Sequence, residues 1–158
     1  MPLDKTEIDG VLIGRNARHS DSRGWLTELF RSDELPDRFN VAMGYMSLTK
    51  PGEIRGPHEH KKQSDCLVFP GIGMFELSLW DNRTGSPSFG RHSTVKTNDT
   101  EALIVIIPPG VVHGYKNIGN VDGFSVNAPD KLYSGFGRKE AVDEIRYEEM
   151  PESPFKII

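Results

Sequence analysis

Three of the five histidines stand in contexts that could carry chemistry. The run Arg55-Gly56-Pro57-His58-Glu59-His60-Lys61-Lys62-Gln63 sets two imidazoles two residues apart. On an extended strand that spacing turns both rings to one face. Further along, Pro108-Pro109-Gly110-Val111-Val112-His113 closes an apolar run with a Pro-Gly turn and delivers a third ring. Imidazole titrates near working pH, so it can take and return protons; in its neutral form it also binds metals. A lone HxH is commonly surface decoration. Here the flanking Arg55 and Gly56 and the PxGxxH element downstream favour a built site. His19 and His92 fall in loop-like stretches and receive no role.

Rings from such distant segments can meet only if the fold brings them together, and the patterning predicts how. The 16 glycines and 11 prolines are spread along the chain and punctuate short β-rich runs. Strands are expected at 11–15, 25–30, 41–49, 66–69, 73–80, 93–96, 102–107, 114–118 and 123–127. Phe75, Leu77 and Leu79 alternate with Glu76 and Ser78, the period of a strand with unlike faces. The 102–107 run is apolar throughout and β-branched, as a strand buried on both faces requires. Segments 31–39 and 139–149 suit short helices. The expectation is one all-β domain over 1–158, a jelly-roll β-barrel with one or two short helices, its ligand cavity between the sheets.

Composition narrows the function classes. With 19 basic and 23 acidic residues the formal charge is −4, which gives no nucleic-acid surface. Cys66 is the sole cysteine, so an internal disulfide, a zinc ribbon and a CxxC redox pair are excluded. No apolar run approaches the ~20 residues of a membrane helix. The N-terminal stretch lacks the apolar core of a signal peptide, so a cytoplasmic location is expected. Trp25 and Trp80 are expected in the core or cavity wall, and Cys66 in the core.

The histidine motifs resemble those of the cupin superfamily. His58, His60 and Asp65 with Gly71 resemble the first cupin motif, and Pro108 to Asn117 the second. Within cupins the chain is similar to the dTDP-4-dehydrorhamnose 3,5-epimerase family. Asp21-Ser22-Arg23-Gly24-Trp25-Leu26-Thr27-Glu28 resembles that family's DxRGxFxE, and Arg55-Gly56-Pro57-His58 its RGLH. Asp81-Asn82-Arg83 with Ser86-Pro87-Ser88-Phe89-Gly90 resembles DxR…SPTFG, and the 107–115 run resembles IPxGFAHGF. A weaker match continues to Asp143.

The resemblance implies a nucleotide-sugar epimerase that acts on a dTDP-4-keto-6-deoxyhexose in polysaccharide or deoxysugar biosynthesis. It takes a proton from a carbon beside the ketone and returns one to the other face. The base would be His58, with Asp143 as its carboxylate partner and His60 assisting. Arg23 and Arg55 would fork onto the diphosphate, and Glu28, Gln63 and His113 would help hold the substrate. No cofactor is implied, and a homodimer is. The chain departs from the family at two points. Asp65 or Cys66 stands near the family's lysine, and Val126 or Asn127 stands at its acid tyrosine. Three alternatives follow. The RGxHxHK segment also resembles dTDP-sugar 3,4-ketoisomerases. His58, His60, Asp65 and His113 together make a possible divalent-metal set. A homologue without the lysine and tyrosine could bind a nucleotide sugar and not turn it over.

Overall fold

A computed structural model describes residues 2–158. Thirteen strands follow in chain order: β1 (Asp4–Lys5), β2 (Leu12–Ala17), β3 (His19–Asp21), β4 (Gly24–Leu26), β5 (Tyr45–Thr49), β6 (Ile54–Glu59), β7 (Asp65–Phe69), β8 (Phe75–Asp81), β9 (His92–Lys96), β10 (Glu101–Ile107), β11 (Val111–Asn117), β12 (Gly123–Asn127) and β13 (Ile145–Arg146). Two sheets face each other, one ordered β1-β2-β10-β7-β12-β5, the other β13-β6-β11-β8-β9, and β3 and β4 form a separate hairpin. All strand pairs are antiparallel. This is the jelly-roll barrel that the turn-punctuated sequence implied.

Pleat alternation divides the apolar residues between two layers. Leu103, Val105 and Ile107 of β10 point between the sheets and pack with Phe69, Phe75, Leu77 and Leu79. Ala102, Ile104 and Ile106 point outward. They stay buried because Leu29, Phe30, Leu35 and Phe39 cover that outer face. Hence β10 is apolar at every other position and at the positions between. Each such buried Leu, Ile or Phe contributes roughly 1.5–3 kcal/mol over an exposed one.

The two expected helices do not form. Segment 31–39 makes isolated turns, with Leu35 N–H on the Arg31 carbonyl and Phe39 N–H on that of Pro36. Pro36 lacks an N–H and breaks the ladder between them. Segment 139–149 forms a two-residue strand and a 3-10 turn instead. Ile145 and Arg146 pair with Glu59 and His58 at the edge of β6, where strand bonds replace helical ones. The helical turns described are 3-10 turns at Phe136–Arg138 and Tyr147–Glu149. Four other expectations are corrected. Strand 25–30 ends at Leu26 and 41–49 starts at Tyr45, while His19 and His92 lie in strands, not loops. Trp25 is exposed beneath the Arg18 guanidinium, and Trp80 stacks on His92, so neither is core. Cys66 is fully buried, as expected.

Candidate active site

The site begins with a bulge. β6 and β11 pair at His58↔His113 and at Arg55↔Tyr115, so two residues of β6, Gly56 and Pro57, stand opposite Gly114 alone. The extra residue lies at Gly56-Pro57. Gly56 has φ +79°, and a Cβ there would stand 2.8 Å from the His113 carbonyl oxygen. Only glycine fits that approach. Arg55 and His58 are three apart and would face opposite ways on a regular strand; the bulge turns both into one cavity.

The Pro-Gly turn that precedes His113 is fastened to the first histidine motif, since Gly110 N–H donates to the His60 carbonyl at 2.8 Å. Three rings therefore converge. The His58 and His113 centroids are 4.5 Å apart, and His60 lies 5.6 Å from His58.

Asp65 anchors this cluster from the facing sheet and is 1 % exposed. Its Oδ1 accepts from Gln63 Nε2 at 2.9 Å and Asn127 Nδ2 at 2.8 Å. Its Oδ2 lies 3.4 Å from His60 Nε2 and 3.2 Å from His113 Nε2. Burial by itself would raise the Asp65 pKa; the close approach of the His113 and His60 rings to Oδ2 overrides it and holds the group well below the carboxylate range. Burial also opposes charge on His60, yet Asp65 and the Asp143 carbonyl at its Nδ1 raise the ring to about 9. His58 is the opposite case. Burial, with His113 and His60 beside it, pushes it down to about 2, so its ring is neutral in the empty site.

A cavity of about 570 Å³ opens between the sheets, lined by His58, Asp65, His113, Arg55, Tyr45 and Asn127 among others. His60 and Gln63 do not line it; they sit behind the cluster and face a neighbouring pocket. Arg55 is held by Thr49 Oγ1 at 2.9 Å and the Leu48 carbonyl at 2.7 Å.

The remaining sequence candidates are placed differently. The Asp143 carboxylate accepts from the backbone N–H groups of Lys61, Lys62 and Gln63, so it shapes the turn after His60 and does not reach His58. Glu144 takes that position, its Oε1 3.9 Å from His58 Nδ1 and its Oε2 held by Arg146 Nε at 2.8 Å. Arg23 lies on the β3–β4 hairpin, its side chain 88 % exposed and paired with Asp21. Glu28 faces Arg31 at 3.7 Å. Neither lines the cavity of this chain. Sequence reading passed over Glu144, Arg146, Tyr45 and Asn127 as cavity residues. Glu144 sat one position from the residue chosen, and no local pattern marked Tyr45.

Fold and site together define a cupin-type barrel with a histidine-lined cavity. A sequence model of the family described as dTDP-4-dehydrorhamnose 3,5-epimerase matches residues 5–134, and the chain belongs to that family. The spore coat polysaccharide biosynthesis protein SpsL of Bacillus subtilis is 37 % identical over 113 residues, covering 71 % of this chain and 73 % of that protein. The probable low-salt glycan biosynthesis epimerase Agl13 of Haloferax volcanii is 34 % identical over 116 residues, covering 73 % and 74 %. Among solved structures, a dTDP sugar isomerase from Desulfovibrio desulfuricans superposes with a TM-score of 0.78 at 20 % identity, covering 99 % of this chain and 94 % of that one. At that identity the likeness concerns the fold. No described helix is long and apolar enough to cross a membrane.

Proposed function

We propose that the protein is a nucleotide-sugar epimerase acting on a dTDP-4-keto-6-deoxyhexose in polysaccharide or deoxysugar biosynthesis. One observation carries the reading: a neutral, largely buried His58 faces the cavity with the Glu144 carboxylate at its Nδ1. A proton on the carbon beside a ketone is weakly acidic, since the electron pair left behind spreads onto the carbonyl oxygen as an enolate. His58 takes that proton and becomes an imidazolium, which Glu144 steadies as carboxylates do in other acid–base dyads. An incoming diphosphate adds negative charge near the ring and raises its proton affinity above that of the empty site. Arg55 meets the diphosphate through the guanidinium nitrogen not used by its bonds to Thr49 Oγ1 and the Leu48 carbonyl. Family membership and the SpsL and Agl13 likenesses support this substrate class.

The reaction as proposed needs no cofactor. His58, His60 and His113 do offer ligand nitrogens within 4.8 Å of one another. Nε2 of both His60 and His113, however, lies within 3.4 Å of Asp65 Oδ2, and the acid–base reading uses the arrangement as it stands. The ketoisomerase reading ranks behind it because His60 does not reach the cavity. We place the enzyme in the cytoplasm as a homodimer; its lone, unpaired Cys66 suits a reducing compartment.

The test is proton exchange on a dTDP-4-keto-6-deoxy sugar in heavy water, read by NMR. Exchange with inversion at C3 alone means single epimerisation, and at C3 and C5 double epimerisation. A 3-keto product, or tight binding with no exchange, overturns the proposal.

A further inference from the structure

Inversion requires a proton donor on the face of the carbon opposite the base, and in this chain Val126 and Asn127 occupy the stretch where the family resemblance implies a tyrosine. We propose that Tyr45, one strand over, is the opposite-face acid of this site, an assignment that rests on the epimerase reading above.

Tyr45 opens β5, and the β12–β5 register sets it directly beside Asn127. It belongs to the six-stranded sheet, whereas His58 belongs to the five-stranded sheet opposite. Both line the same cavity, so base and phenol approach a bound sugar from different walls.

The direction of its hydroxyl is fixed by a relay of hydrogen bonds. Asp65 is an ionised, buried acceptor, so the Asn127 amide must present Nδ2 to it, at 2.8 Å. Turned the other way, Asn127 Oδ1 would face the carboxylate, oxygen against oxygen. The other hydrogen of Nδ2 then goes to the Tyr45 hydroxyl oxygen at 3.0 Å. That oxygen accepts, and no hydrogen bond among the described residues uses its own O–H, which is left for a ligand. Tyr45 is half-exposed, and desolvation on its cavity side moves the phenol upward from its ordinary 10, so the proton is present at neutral pH. Asn127 Oδ1 is itself buried without a partner beside the same cavity, an acceptor suited to a sugar hydroxyl.

The other three tyrosines are placed differently: Tyr115 also lines the cavity, but on β11 of the same sheet as His58 and so on the wall of the base. The Tyr115 hydroxyl is paired with Ser125 Oγ at 2.7 Å, with its ring packed among Phe69 and Phe75. Tyr147 donates to Glu59 at 3.0 Å. Tyr133 lines the neighbouring pockets and not this one.

The step balances. His58 breaks the C–H bond and keeps the proton, and the electron pair passes into the enolate. Tyr45 O–H then delivers its proton to the same carbon from the other side. The enolate pair forms the new C–H bond, and a phenolate remains. Water reprotonates the phenolate and removes the proton from His58, restoring both groups.

The experiment compares wild type, Tyr45→Phe and His58→Asn on dTDP-4-keto-6-deoxyglucose in heavy water. It measures deuterium incorporation and inverted product separately. In Tyr45→Phe, inverted product should fall by ~10²-fold or more, the contribution of a positioned general acid. Deuterium should still enter with retention, because His58 can return a solvent-exchanged proton to the face it came from. That persisting exchange also shows that the variant is folded and binds substrate. His58→Asn should lose both signals. Inversion by Tyr45→Phe within about threefold of wild type, against that general-acid range, overturns the assignment of Tyr45 and leaves the epimerase reading standing. Absence of exchange and inversion in the wild type overturns both.

Discussion

Glu144 Oε1 lies 3.9 Å from His58 Nδ1, while the adjacent Asp143 carboxylate turns away onto the backbone N–H groups of residues 61–63. Adjacent carboxylates on an extended segment point to opposite sides. One therefore serves the cavity and the other the turn behind it.

The division of labour between the two can be measured. Glu144→Gln should lower the exchange rate by ~10–100-fold with little change in melting temperature, because it weakens a base partner in the general acid–base range. Asp143→Ala should instead cost roughly 1–3 kcal/mol of stability, since it strands backbone donors. Chemical denaturation beside the exchange assay separates the two. Equal rate losses without destabilisation in Asp143→Ala would contradict the placement.

The bulge predicts a stability effect at Gly56. Gly56→Ala forces a Cβ against the His113 carbonyl in left-handed backbone and should destabilise by roughly 1–3 kcal/mol. Because Arg55 and His58 flank it, KM and kcat should both worsen. An unchanged denaturation midpoint would show that the bulge is not fixed.

The shifted histidines predict a pH profile. His60 is raised to about 9 from an ordinary 6.5, so the folded state holds its proton more tightly than the unfolded chain. Its contribution is complete below pH 6.5 and is lost as pH rises through about 9. His58 is depressed, so the unfolded chain binds the proton first and stability falls as pH drops below 6.5. Melting temperature should decline on both sides of pH 6.5. In His60→Gln the alkaline decline between 6.5 and 9 should flatten. An unflattened limb would show that His60 is not charged.

Metal content tests the cofactor-free reaction. Protein purified without chelator should hold far less than one equivalent of any divalent ion, and EDTA should leave exchange unchanged. Stoichiometric metal removed by EDTA together with activity would transfer the three imidazoles to the metal reading.

Arg55→Ala should raise KM for the sugar nucleotide by ~10-fold or more with a smaller effect on kcat, as loss of an Arg–phosphate contact predicts. A fall in kcat alone would mean that Arg55 acts on the reacting carbon.

Much of this protein was legible in the sequence because local patterns report local burial. Alternation at Phe75, Leu77 and Leu79 and the unbroken run of β10 gave the strands and the barrel class. HxH and PxGxxH marked His58, His60 and His113, and the flanking motifs gave the family. The sequence did not reveal that a bulge at Gly56 would turn Arg55 and His58 to one side, or that β13 would pair at the edge of β6 in place of a helix. Nor did it show that Asp65, Asn127 and Tyr45 would form one hydrogen-bonded relay from three strands. Those outcomes depend on strand register and side-chain direction between segments dozens of residues apart. A one-residue slip in register reverses every face, and only the assembled sheets decide it.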